Sequence, residues 1–80
     1  IMEKIMNNFK SIRKDWHLIE SLIKEKSRVL DIGCGEGDLI RQLEKNLTAR
    51  VHGIEKDKDM VAKGISKGLN ITHGDAENDL

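Results

Sequence analysis

Proline and tyrosine are absent from this 80-residue sequence, and phenylalanine, tryptophan and cysteine occur once each. With no proline, low-complexity tract or internal repeat, no linker divides the chain, and one small domain at most is expected over residues 1–80. With Phe9 and Trp16 as the only aromatics, the core has to be aliphatic, built from Leu, Ile and Val. The lone Cys34 excludes an internal disulfide framework and fits a reducing, cytoplasmic setting. Net charge is lacking too: 14 basic side chains balance 14 acidic ones. No basic stripe or Arg cluster marks a nucleic-acid partner. No apolar run approaches the roughly 20 residues that span a bilayer. Residues 1–8 mix Ile1, Met2, Ile5 and Met6 with Glu3 and Lys4, which is too polar for a signal peptide. They read as a frayed, disordered lead-in or an extra helical turn.

What is present is a regular alternation. Phe9, Ile12, Trp16, Ile19, Leu22 and Ile23 recur at steps of three and four, the period of an amphipathic helix, with Arg13, Lys14, Glu20 and Lys24 on its polar face. Ser27 closes that segment. Arg28–Ile32 reads as a short buried strand. Leu39, Ile40, Leu43 and Leu47 give a second helix ending near Asn46, and Ala49–Glu55 a second strand. Asp57 has the character of an N-cap for a third helix carrying Met60, Val61 and Ile65, with Gly68 as its stop. Leu69–Thr72 is a third, short strand. Strands alternating with helices imply an α/β fold with parallel pairing and right-handed crossovers. In such a fold a ligand sits beyond the carboxyl ends of the strands. The glycine run, Glu55 and Asp75 all fall at those ends.

The glycine run Gly33, Gly35, Gly37 has the spacing G-x-G-x-G. A dinucleotide loop needs G-x-G-x-x-G, but Asp38 stands at the third glycine's place, and a P-loop needs a lysine that does not follow here. Charge points the same way. Asp31, Glu36 and Asp38 surround the loop and occupy the field that a pyrophosphate would need. A ligand with a sulfonium and an ammonium group tolerates such a rim, which makes S-adenosylmethionine, or S-adenosylhomocysteine in the same site, the expected cofactor. Gly33 allows the turn out of the strand, Gly35 lets the backbone approach a ligand, and Gly37 lets the helix pack closely. Glu55 follows Gly37 by eighteen residues, close to the roughly 20 expected for an acid that binds ribose hydroxyls. Asp75 is placed to accept from an adenine amino group, with the Ala76 N–H beside the ring. Cys34 reads as a small buried filler. His17, His52 and His73 fall on separate elements without ligand spacing, so no metal site is expected.

At this point the residues resemble a known group. The stretch Arg28–Leu39, RVLDIGCGEGDL, is similar to motif I of the class I S-adenosylmethionine-dependent methyltransferases. More narrowly, RKDWHLI at 13–19, GIEKD at 53–57, KGLNI at 67–71 and the following Gly74 and Asp75 resemble the MetW family of methionine biosynthesis. The resemblance implies that Asp31, Gly33 and Gly35 hold the methionine part of the cofactor, with Cys34 and Gly37 completing the loop. It implies Glu55 at the ribose, and Asp75 and Ala76 at the adenine. The residue after the ribose acid is usually apolar in that group. Here it is Lys56, whose aliphatic stem would have to cover the adenine.

The implied fold is a three-layer Rossmann-like sandwich on a parallel sheet whose order begins 3-2-1. Its full form has seven strands, so this chain is expected to supply the cofactor-binding first half. Arg28–Ile32 would then be an open edge, which invites a second copy, another chain or a strand swap. Two activities follow from the resemblance: methyl transfer, or a regulatory role beside a homoserine O-acyltransferase. An NAD-binding module is the third reading, disfavoured by the glycine spacing, and an inert truncation the fourth.

Overall fold

A computed structural model describes residues 2–6 and 16–75. Phe9, Ile12, Arg13 and Lys14, expected in the first helix, and Ala76, expected at the adenine, lie outside the described residues. The elements run β1 (Met2–Met6), α1 (Trp16–Leu22), β2 (Arg28–Ile32), α2 (Asp38–Leu47), β3 (Arg50–Glu55), α3 (Lys58–Ser66) and β4 (Ile71–His73). All four strands are parallel, in the order β1-β2-β3-β4. The three strands read from the sequence therefore lie 3-2-1, as a partial Rossmann-like fold requires.

The strand Met2–Met6 corrects two expectations. These residues are neither a disordered lead-in nor a helical turn: they pair with Arg28–Ile32, in a register of Met2 with Arg28 through Met6 with Ile32. The edge expected to be open for a second copy is therefore occupied by the chain's own N-terminal segment. The physical reason is backbone demand. An edge strand presents a row of unmet N–H and C=O groups, and pairing with them outweighs a weak local pattern such as MEKIM.

Strand alternation sets the core. Val29 pairs with Val51 and Asp31 with Gly53, so these four share the face that the helices cover. Above them α2 lies on β3, α3 lies on β3 and β4, and α1 rests against α2. Ile19, Ile23, Leu39, Ile40, Leu43, Val61 and Ile71 complete one aliphatic cluster, with Leu47 and Leu69 packed against it. Leu30, His52 and Ile54, on the other face, are only half-buried. Among the described residues no helix is long and apolar enough to cross a membrane.

Three apolar residues fall outside the core that periodicity gave them. Trp16 is 37%, Leu22 66% and Ile65 55% exposed. All three sit at the margins of short helices. In α3 the buried stripe is Val61 and Gly64, three apart, and Ile65 falls past its edge. The helix ends themselves follow local chemistry. Asp57 caps α3, its side chain accepting from the Asp59 and Met60 N–H groups at 2.9 and 3.3 Å. At the other end Gly68 takes φ +82°, its N–H donating to Ile65 O at 2.9 Å while Leu69 N–H donates to Gly64 O at 3.1 Å. That pair of bonds is a Schellman stop.

Candidate functional site

The carboxyl ends of β2, β3 and β4 form one rim, and the glycine turn lies between β2 and α2. The turn is fixed mainly through its backbone. Gly33 and Cys34 both donate to Ile54 O on β3, at 2.7 and 3.3 Å, and Gly37 donates to Cys34 O at 3.2 Å. Gly35 donates to Glu55 Oε1 at 2.8 Å. Glu55 Oε2 accepts from the Asp57 N–H at 2.9 Å. One carboxylate thus joins the glycine turn to the start of α3 across the crevice between two strands. A carboxylate offers about four lone-pair sites, so two remain for other donors.

Glycine is required in this turn for two different reasons. At Gly35, φ is +61° and nothing lies within 4 Å of where a Cβ would sit, so the backbone itself borders open space. At Gly37, φ is +90° and a Cβ would collide with Leu69 Cδ1 and come within 3.2 Å of Ile71 Cδ1. Gly35 leaves room outside the turn, whereas Gly37 lets it seat on β4. Cys34 turns inward and is buried, with its Sγ beneath Gly53, as expected for a filler.

The charges are arranged less simply than the sequence suggested. Asp31 is fully buried on the helix-covered face of β2 and engaged in the chain's own interactions. A buried carboxylate must be satisfied internally, so Asp31 adds little to the acidity outside. The exposed acidity comes from Glu36 and Asp38, and both are met by Lys67. Its Nζ lies 2.8 Å from Glu36 Oε1 and 3.3 Å from Asp38 Oδ1. The Glu36 hydrogen bond, helped by Asp38, holds the Lys67 ammonium above its ordinary pKa. Sequence reading missed Lys67, because its partners lie 31 and 29 residues away and no local spacing announces the contact.

The third strand end closes the rim. Gly74 donates to Glu55 O at 3.0 Å, and His73 donates from Nε2 to Lys56 O at 3.0 Å. These bonds bring Asp75, half-buried and engaged, next to the end of β3. Lys56 itself is exposed. The structure therefore brings Gly33, Gly35, Glu55, Lys56 and Asp75 to one rim. Of the histidines, His17 stands on α1, His52 on β3 and His73 on β4, and His52 Nε2 lies 2.8 Å from Thr72 Oγ1 on the half-buried face. Among the described residues no cluster of His, Cys, Asp and Glu has the make-up of a metal site.

A shallow cleft of about 220 Å³ opens at the turn, lined by Trp16, Gly33, Gly35, Glu36, Asp38 and Leu39 among others. Trp16 reaches it from α1, a second contribution that periodicity assigned to the core. Larger hollows of about 650 and 520 Å³ lie along the flank of α2 and beneath the amino ends of β2 and β3. Charged side chains line half of the first and most of the second, and neither touches the glycine turn or Glu55. The small cleft, by contrast, lies against the glycine turn at the carboxyl end of β2, where ligands sit in sheets of this kind.

These features can be set beside known proteins. Residues 13–80 match the profile of the family described as methionine biosynthesis protein MetW. Against individual curated proteins the chain has no match. The matched segment holds the glycine turn, Glu55, Lys67 and Asp75, and it takes in most of the chain. The protein belongs to the MetW family.

Proposed function

We propose that this domain binds S-adenosylmethionine across the ends of β2, β3 and β4, in the service of methionine biosynthesis. The observation that carries the reading is Glu55, which closes β3 and lies 2.8 Å from the Gly35 amide on the far side of the crevice. A ribose beside this contact would meet a carboxylate with acceptor capacity left. Gly35 leaves space beside the backbone, which fits the approach of a ligand. Glu36 and Asp38 supply negative charge for a sulfonium and an ammonium. The amides of Gly33, Cys34, Gly35 and Gly37 already donate within the chain, which leaves a poor cradle for pyrophosphate. Asp75 and the stem of Lys56 would border the adenine. When bound, the cofactor supplies an activated methyl group. The residues named here bind and orient it.

Calorimetric titration tests this reading. S-adenosylmethionine and S-adenosylhomocysteine should bind, and NAD should not. Glu55→Ala should weaken both adenosyl ligands by about 10- to 100-fold, the loss of charge-assisted hydrogen bonds worth about 1.5–3 kcal/mol. A Glu55→Ala protein that stays folded and binds like the parent would remove Glu55 from the ribose, and tight NAD binding would defeat the whole assignment.

A further inference from the structure

Lys67 has no part in the binding scheme above, yet the fold delivers it to the glycine turn with care. It is the C-cap residue of α3, and the Schellman turn through Gly68 fixes its backbone. The helix presses on the turn from the side: a Cβ at Gly64 would come within 3.1 Å of the Glu36 carbonyl oxygen. From that base the Lys67 ammonium bridges Glu36 on the turn and Asp38 at the head of α2. Those two carboxylates line the same cleft as Gly33 and Gly35.

We propose that Lys67 is a specificity-determining residue, a tethered counter-ion that sets how strongly the glycine turn prefers a cationic adenosyl ligand to a neutral one. The inference rests on the S-adenosylmethionine reading. Glu36 and Asp38 alone would present two negative charges to the cleft, and Lys67 leaves one. S-adenosylmethionine carries a net positive charge, while S-adenosylhomocysteine lacks the sulfonium and is neutral. The two share adenine, ribose and amino-acid groups, so the ratio of their affinities isolates the charge. Lys67 therefore holds down the preference for the methyl donor over the demethylated product. A domain with this residue binds the two more evenly and responds to their balance.

The test is titration of the parent, Lys67→Met and Lys67→Arg proteins with both ligands at low and high salt. Removing the charge should raise the ratio of S-adenosylmethionine to S-adenosylhomocysteine affinity by about threefold, the order of effect of one charge across several ångströms of water-like dielectric. Lys67→Arg should restore the parent ratio. High salt should erase the difference, because the Debye length shrinks to about 3 Å at 1 M. A ratio unchanged in Lys67→Met, or equal weakening of both ligands, overturns the proposal and leaves Lys67 a structural tether. A parent that binds neither ligand refutes the cofactor reading itself, an outcome distinct from an unchanged ratio.

Discussion

Replacing Gly53 with alanine should force the glycine turn against its own core. Gly53 lies in the middle of β3, on the face beneath α2, and is buried. A Cβ there would stand 2.5 Å from Cys34 Sγ, 2.7 Å from Ile40 Cδ1 and 3.2 Å from Cys34 Cβ. The Ile40 methyl is the tip of a flexible side chain and can swing away at small cost. Cys34 has less freedom: its Sγ can turn, but its Cβ is carried on a backbone whose N–H is tied to Ile54 O on the same strand. Overpacking of this kind costs about 1–3 kcal/mol. Alanine returns roughly 0.5–1 kcal/mol through its smaller loss of backbone freedom in a strand. The net is a loss of about 1–2 kcal/mol, and a domain of this size loses about 4–8 °C in Tm per kcal/mol. Thermal melting followed by circular dichroism should therefore show Tm lower by roughly 5–15 °C. The cause is checked by a double-mutant cycle. Cys34→Ala removes the nearest atom, so Gly53→Ala should cost clearly less in that background than in the parent. Equal costs in the two backgrounds, or no loss in either, would refute the account of how the turn is seated.

Two further substitutions probe local strain and charge. Thr48, the C-cap of α2, takes the left-handed conformation at φ 52° and ψ 32°, which a β-branched residue resists by about 1–2 kcal/mol. Thr48→Gly should raise Tm by roughly 2–6 °C in a thermal-shift assay after glycine's own entropy is counted, and a lower Tm would exclude strain at this residue. Burial pushes the Glu44 carboxyl above its ordinary 4.5, opposed by its backbone hydrogen bond at Val51. The folded state therefore holds this proton longer than the unfolded chain does. The resulting stability is full below about pH 4.5 and is lost as pH rises through the elevated value. Glu44→Gln should stabilise the protein slightly at neutral pH, with no gain below pH 4.5; the gain is small because the carboxylate keeps much of its water. Denaturant midpoints measured across pH give the check, and a gain that is the same at every pH contradicts the assignment.

The sequence by itself determined whatever depends on neighbours within a few residues. The span Arg28–Ile32 matches its observed bounds, because charged and turn residues flank an apolar run. Asp57 as cap and Gly68 as stop were legible for the same reason: an N-cap side chain and a left-handed glycine act on backbone one to three residues away. The acid at the end of β3 was legible because a strand, a crossover helix and a strand fix its distance from the glycines. Only the tertiary structure decided what crosses the fold. It laid Met2–Met6 on the edge of β2, where pairing depends on a strand more than twenty residues away. It buried Asp31, left Ile65 in solvent and drew Trp16 to the cleft, because burial depends on which neighbours cover a face and not on periodicity alone. And it carried Lys67 to Glu36 and Asp38, a contact between charges that are strangers in sequence and neighbours only because α3 packs against the turn.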